Sequence, residues 1–401
     1  MKRMEMLKKL ATDRGGKMIL LVMDGLGGLP GPEGRTELEA AFKPNMDALA
    51  KRSELGLLEI VDTGVTPGSG PGHLSLFGYD PLEFSIGRGI LEAMGVGALV
   101  GAGDICARGN FCTRDGDTIV DRRAGRIATE KSALVVEKLA GSIKEIDGVK
   151  VTLYPGKEHR FVVVFSGDGL SEDVSDADPQ AEGVPMRLAQ ASTPLADKMA
   201  QVANSFIGKV ADVLKGDSPA NGCLLRGFSS APDVPLMPDL YRIKPVAVAS
   251  YPMYRGLAKL VGMSVVDAGE GLEELFNTVA RVYDDYDYFY VHVKYTDSRG
   301  EDGDFGGKRE VVERVDRLLP RLLDLSPDVL VITGDHSTPS LMSGHSWHPV
   351  PFLLSSDYVR RGLSASFGEG ECATGSGGRI EAKKLLGLML AHARRLEKFG
   401  A

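Results

Sequence analysis

Short, unbroken apolar runs recur at both ends of the chain, and several stop at a glycine- or serine-rich loop carrying an acidic or imidazole side chain. Met18-Ile-Leu-Leu-Val-Met23 runs straight into Asp24-Gly25. A run this short with no polar alternation predicts a strand buried on both faces. Gly56–Val61, Tyr288–Val293, Val329–Ile332 and Pro351–Leu354 predict further strands. Helical spacing appears over Pro44–Lys51 (with proline in its first turn), Leu272–Tyr283 and Lys308–Leu325, and again over Arg379–Lys398, read as a closing amphipathic helix. Strands alternating with helices of this length predict an α/β fold with a mostly parallel sheet flanked by helices.

The middle of the chain reads differently. Strand-like pieces at Gly109–Thr113, Val149–Tyr154 and Phe161–Phe165 mix with helical patterns at Ala128–Ala140 and Ala196–Leu214. This predicts an inserted α+β domain at 106–239, with 1–105 and 240–401 forming one discontinuous domain. A chain of 401 residues is long enough for both.

Composition narrows the class. Hydrophobic residues make up 43% and charged residues 25%, as in ordinary globular proteins, and the longest apolar runs are too short to span a bilayer. The first ten residues alternate charge with apolar side chains, which predicts an amphipathic helix in a cytoplasmic protein rather than a signal peptide. The net charge of −8, without a basic tract, argues against nucleic acid as a partner, and nothing points to a membrane. Cys106, Cys112, Cys223 and Cys372 form no Cys-x-x-Cys pair and read as free thiols. Fifty glycines suit a protein rich in strand-to-helix loops.

The candidate chemistry sits at the ends of the apolar runs. Asp24 follows the first strand; alone it reads equally well as a loop cap. Thr66-Pro-Gly-Ser69-Gly-Pro-Gly-His73 opens a helix whose N-terminal amides suit an anion, which makes Ser69 a candidate nucleophile if a metal activates it. The plainer reading is Ser69 as an N-cap. Asp297, with Glu301 four residues on, follows the Tyr288–Val293 strand in a stretch that also reads as a solvated acidic loop. Val331-Ile-Thr-Gly-Asp335-His336 places a carboxylate and an imidazole side by side, and His345 and His348 follow at once. Mixed nitrogen and oxygen ligation of Zn²⁺ or Mn²⁺ fits this set. Ligands so far apart in sequence but alike in local context suggest one composite site, with two divalent metals and a serine serving phosphoryl transfer.

Taken together these segments resemble the cofactor-independent phosphoglycerate mutases, in particular their archaeal-type branch within the alkaline phosphatase superfamily. The resemblance covers nearly the whole chain. It includes Asp24-Gly25, the Ser69–His73 loop, Gly78-Tyr-Asp-Pro81, Gly87-Arg-Gly89 and Asp121-Arg-Arg-Ala-Gly-Arg-Ile127. It continues through Glu158-His-Arg160, Ser175–Pro179, Leu224-Leu-Arg-Gly227, Gly256–Met263 and the late Asp and His motifs.

The resemblance implies an alkaline-phosphatase-like fold and interconversion of 3- and 2-phosphoglycerate in glycolysis and gluconeogenesis, without 2,3-bisphosphoglycerate. It implies that Ser69 takes the phosphoryl group transiently and that Asp24, Asp335 and His336 bind a metal that also touches this serine. Asp297 and His345 are then ligands of a second metal. The inserted domain of such enzymes closes over the substrate, a small phosphorylated hydroxy acid, and supplies arginines. Arg122, Arg123, Arg126 and Arg226 are the candidates here, with Lys294 also placed to bind substrate phosphate.

The chain departs from the family at Glu301, where Asp-x-x-Gly-His-Asp-Gly commonly has histidine. Either Glu301 itself binds, favouring Mn²⁺ or Mg²⁺ over Zn²⁺, or His348 supplies the missing nitrogen, or the substrate has changed. Mn²⁺ is the favoured metal, with Mg²⁺, Co²⁺ and Zn²⁺ as alternatives. The competing functions are a phosphatase or phosphotransferase acting on a phosphopentose or phosphohomoserine, and a non-catalytic metal-binding relative. The oligomeric state stays open.

Overall fold

The computed structural model describes residues 2–31, 33–360 and 362–400. Two strands precede the insertion, β1 (Met18–Met23) and β2 (Glu54–Glu59). Seven lie within it: β3 (Ile105–Asp115), β4 (Thr118–Asp121), β5 (Glu145–Ile146), β6 (Val149–Pro155), β7 (Arg160–Ser166), β8 (Val184–Pro185) and β9 (Gly222–Ser229). Six follow: β10 (Pro245–Ala249), β11 (Ser264–Asp267), β12 (Tyr288–Val293), β13 (Val329–Thr333), β14 (Val350–Ser355) and β15 (Gly378–Glu381). The chain divides into two compact units, 1–85 with 234–401, and 86–233. The second therefore begins earlier than residue 106, because the Arg88–Gly95 helix packs Ile90 and Ala93 onto Cys106, Val162 and Val164 of its sheet.

The first unit is an eight-stranded sheet ordered β11-β10-β12-β1-β13-β14-β2-β15. It is mostly parallel, with β14 antiparallel to both its neighbours. All six residues of β1 are buried, as the unbroken apolar run requires of a central strand covered on both faces. On one face Ile19, Leu21, Phe289, Val291 and Ile332 pack against Phe276 and Val279 of the Gly271–Arg281 helix and Val312 and Val315 of the Phe305–Leu318 helix. Register then fixes where the loops begin. Met23 pairs with Val293, and Val22 with Thr333. Asp24, Lys294 and Asp335 therefore leave the sheet side by side at the carboxyl ends of three adjacent parallel strands, where α/β sheets place their sites.

Three expectations need correction. Arg379–Lys398 is not one amphipathic helix: Gly378–Glu381 joins the sheet edge beside β2, and the helix is only Leu385–His392. That helix buries Leu385, Leu386, Met389 and Leu390, so it is a core helix without a polar face. The Lys308–Leu325 pattern begins earlier, at Phe305, where Asp304 caps the Gly307 amide at 2.8 Å, and it breaks at Pro320. The stretch after β12, read as a possible acidic loop, is helical over Tyr295–Glu301.

The second unit is a seven-stranded antiparallel sheet in which β3 lies between β7 and β9. The Thr129–Ser142 and Asp197–Val213 helices cover it through Val136, Leu139, Phe206 and Val210, packed with Phe111, Phe161 and Phe165. The fold is thus α/β with an inserted α+β unit, as the pattern predicted. All four cysteines are free and buried. No helix among the described residues is long and apolar enough to cross a membrane.

Candidate active site

In the first unit the ends of β1, β12 and β13 converge with the Tyr295–Glu301 and Ser69–Leu76 helices and the loop that carries His345. Asp24, Asp335 and His336 are fully buried, and Asp297 nearly so. His336 Nε2 stands 3.2 Å from Asp24 Oδ1 and 3.3 Å from Asp335 Oδ2. His345 Nε2 lies 3.5 Å from Asp297 Oδ1, and the His336 and His345 rings stack at 3.6 Å. The side chains form two groups able to hold a metal ion, Asp24 with Asp335 and His336, and Asp297 with His336 and His345. Asp24 Oδ1, Asp335 Oδ2 and His336 Nε2 are buried without a hydrogen-bond partner. Desolvated carboxylate oxygens and an imidazole nitrogen left unpaired at one point fit a divalent cation, which would satisfy all three.

The electrostatics agree. Burial pushes Asp24 up, but a hydrogen bond from His292 and the nearby His336 and Lys294 hold it well below the usual carboxylate range. Burial and Asp24 push Asp335 up, yet His336 and His73 bring it below its ordinary value. Burial alone would depress His336; Asp335 and Asp24 raise it to about 9. Lys294 bonds Asp297, and its ammonium lies 3.2 Å from Asp24 Oδ2. Burial works against its charge, but these two carboxylates raise its pKa.

Ser69 opens the Ser69–Leu76 helix after Gly68 and is half-buried. Two contacts fasten this helix start to the ligands. His73 Nδ1 is 2.8 Å from the Ser69 carbonyl and 3.2 Å from Asp335 Oδ2, and His345 Nδ1 is 2.9 Å from the Pro67 carbonyl. Two glycines permit the approach. A Cβ on Gly72 would collide with the Asp335 carbonyl, and Gly25, at φ +66°, would put one 2.6 Å from Thr338 Oγ1. Thr338 Oγ1 in turn bonds Asp297 Oδ1 at 2.8 Å and lies 2.9 Å from His336 Nδ1.

The second unit carries a cavity of about 220 Å³ lined by Arg108, Asn110, Arg122, Arg123, Arg126, Glu158, His159, Arg160 and Arg226. Cross-strand pairing assembles it: Arg108 sits opposite Arg226, and Asn110 opposite Arg160. Asp178 holds Arg122 through a fork at 3.1 and 2.6 Å. Asp121 accepts the Arg123 and Gly125 amides at 2.7 and 2.6 Å, tying down a loop in which Ala124, Gly125 and Arg126 all have positive φ. The Nε groups of Arg108, Arg160 and Arg226 are buried without a hydrogen-bond partner, although Arg226 Nε stands 3.5 Å from Asp176 Oδ2 and 3.6 Å from Asp178 Oδ2. Burial, with Arg160 adding to it, lowers His159 to about 4. A cavity with spare buried guanidinium donors is built for an anion.

A family model described as 2,3-bisphosphoglycerate-independent phosphoglycerate mutase matches residues 50–221. A probable enzyme of that name from Thermosipho africanus is 56% identical over 399 residues, spanning 100% of this chain and 99% of its own. This chain belongs to the 2,3-bisphosphoglycerate-independent phosphoglycerate mutase family. Among solved structures, the cofactor-independent phosphoglycerate mutase of Thermoplasma acidophilum superposes with a TM-score of 0.78 at 30% identity, over 94% of this chain and 100% of that one. A Pyrococcus horikoshii protein gives 0.81 at 30% identity, over 96% and 100%.

In this mutase the structure brings Asp24, Asp297, Asp335, His336 and His345 together beside the Ser69 helix. Glu301 stays at the rim, its side chain 55% exposed and its Oε1 3.9 Å from His345 Nε2. His348 bonds Ser346 Oγ at 3.0 Å and stacks on Trp347, outside both ligand groups. Lys294 is engaged by Asp24, Asp297 and Tyr254. Arg122, Arg123, Arg126 and Arg226 share one cavity with Arg108, Arg160, Asn110 and His159. Sequence reasoning gave Arg108 and Asn110 no role, because each lies inside a strand and only cross-strand register shows where it points. His292, whose Nε2 is 3.1 Å from Asp24 Oδ2, was likewise hidden inside an apolar run.

Proposed function

We propose that this mutase interconverts 3-phosphoglycerate and 2-phosphoglycerate in the cytoplasm by passing the phosphoryl group through Ser69. The observation that carries the reading is the pair of ligand groups sharing His336 beside the helix that Ser69 opens. Asp24, Asp335 and His336 would hold one divalent cation, and Asp297 with His345 a second, with Mn²⁺ favoured by the carboxylate-rich set. When bound, such ions draw charge from phosphoryl oxygens and lower the pKa of a serine hydroxyl.

The chain's own groups do the rest. Ser69 Oγ attacks the phosphorus in line, and the amides at the helix start face the phosphoryl oxygens. The glycerate left behind turns, and its other hydroxyl takes the phosphoryl group back. Lys294 balances the carboxylates, and the arginine pocket of the second unit binds the anionic groups of the substrate. Water must be kept from phosphoserine, since its hydrolysis would make the enzyme a phosphatase.

Phosphorus NMR of metal-stripped enzyme with 3-phosphoglycerate, before and after Mn²⁺, tests this. Metal-dependent formation of 2-phosphoglycerate without inorganic phosphate is the expected result. Inorganic phosphate alone, or no reaction in either state, would overturn it.

A further inference from the structure

An imidazole that gives its Nε2 lone pair to a cation carries its proton on Nδ1, and a buried N–H needs an acceptor. His336 is fully buried. Its Nε2 faces Asp24 Oδ1 at 3.2 Å and Asp335 Oδ2 at 3.3 Å, so the opposite nitrogen must be served from elsewhere. On that side the Asp297 carboxylate is too far for a direct bond, its Oδ1 standing 4.0 Å from His336 Nδ1. The Thr338 hydroxyl fills the gap, 2.9 Å from His336 Nδ1 and 2.8 Å from Asp297 Oδ1.

The direction of each bond follows from what the groups can do. An ionised carboxylate only accepts, so Thr338 Oγ1 donates its single proton to Asp297 Oδ1. Its lone pairs are then left for His336 Nδ1, which must be the donor. The other Asp297 oxygen is taken by Lys294. Thr338 itself is fixed. It is fully buried, its amide donates to the Gly27 carbonyl at 3.0 Å, and its carbonyl accepts the Lys308 ammonium at 2.9 Å. Two glycines pinch the side chain. A Cβ on Gly25 would lie 2.6 Å from Oγ1, and one on Gly300, in the helix that carries Asp297, 2.9 Å from Cγ2.

We infer that Thr338 is a positioning residue for both cation sites. Its hydroxyl holds His336 in the tautomer that presents a bare Nε2 toward Asp24 and Asp335, and it holds Asp297 Oδ1 toward His345. This rests on the two-cation reading above. Asp297 Oδ1 is the oxygen that faces His345 Nε2, at 3.5 Å. Without the hydroxyl, a neutral His336 gains by carrying its proton on Nε2, where Asp24 and Asp335 accept it, and that tautomer has no lone pair there for a cation. The same loss frees the Asp297 carboxylate to turn away from His345. Thr338 acts through these two ligands and not on the reacting atoms.

Thr338→Val in the full chain is the test, because it keeps the branched shape and removes the hydroxyl. Metal-stripped enzyme is titrated with Mn²⁺, and the free ion is counted by electron paramagnetic resonance. The variant should bind both equivalents about 10- to 100-fold more weakly than the parent. Thr338→Ser, which restores the hydroxyl without the methyl, should stay within about threefold of the parent, whereas a packing role would make it as weak as valine. Nitrogen-15 NMR of the histidine-labelled, Zn²⁺-loaded parent needs no variant to fold, and it should show the His336 proton on Nδ1. A proton on Nε2 in that spectrum overturns the proposal. So does parent-like Mn²⁺ affinity in Thr338→Val, loss of only one equivalent, or a serine variant as weak as the valine one. A parent that binds no Mn²⁺ refutes the two-cation reading; a parent that binds two while the valine variant is indifferent refutes only the role of Thr338.

Discussion

Replacing Lys308 by methionine asks what holds the ligand-bearing loops in place. Lys308 is fully buried. Its ammonium donates to the Gly27 carbonyl at 3.0 Å and the Thr338 carbonyl at 2.9 Å, and it stands 3.9 Å from Glu37 Oε2. Gly27 lies just beyond Asp24, and Thr338 just beyond His336, so one ammonium ties together the two loops that carry these groups. Burial lowers the Lys308 pKa, and Glu37 and Glu369 oppose that. Glu37 is anchored on its other oxygen by the Ser340 amide and hydroxyl, at 2.8 and 2.6 Å. Methionine preserves the packing but removes the donors and the charge. Two hydrogen bonds to carbonyls are lost at about 1 kcal/mol each, and a buried carboxylate is left without its counter-charge at about 3 kcal/mol, so the loss is about 5 kcal/mol. For a unit of this size that lowers Tm by roughly 10–20 °C.

Urea unfolding and calorimetry of Lys308→Met, alone and with Glu37→Gln, measure the effect. Glutamine keeps an acceptor for Ser340 but removes the stranded charge, so the double variant should recover about 2 kcal/mol. A single variant within about 1 kcal/mol of the parent would refute the reasoning. So would a Glu37→Gln change that adds its cost to that of Lys308→Met.

Two further predictions concern the two units separately. Since the Glu301 side chain is 55% exposed and 3.9 Å from His345, Glu301→Ala should weaken Mn²⁺ binding by less than about fivefold, whereas Asp297→Ala should weaken it by about 100-fold or more in titration calorimetry. Equal losses would mean that Glu301 reaches the ion. In the second unit, burial, aided by Arg160, lowers His159 to about 4 from an ordinary 6.5. Between these values the unfolded chain binds a proton that the folded chain does not, so stability should fall as pH drops through this window. His159→Asn should flatten that dependence in denaturant titrations at a series of pH values; an unchanged slope would rule His159 out as its source.

The parts of the site that follow apolar runs were legible because strand ends are local signals. Asp24 and Asp335 each sit one or two residues beyond a run of buried strand residues, and register then brings them together. Ser69 was legible for a different reason, the glycine and proline crowding around it. What was hidden depends on distant pairing. Arg108 and Asn110 look like ordinary polar positions of a strand until β3 is set between β7 and β9. Lys308 reads as a routine helix position, since neither its burial nor its partners can be inferred from spacing. The closing segment was misread because Arg379 and Glu381 supply the polar positions of a helical pattern while the sheet edge beside β2 recruits them into a strand. Tertiary pairing overrode local period there.

The central claim is that the phosphoryl group rests on Ser69 between leaving one oxygen and joining the other. Rapid acid quenching of metal-loaded enzyme turning over 3-phosphoglycerate, followed by mass spectrometry of the Ser69 peptide, tests it directly. The account predicts a phosphoryl group on Ser69 that appears before 2-phosphoglycerate reaches equilibrium and is absent without metal. Full turnover with Ser69 unmodified at every quench time would contradict it.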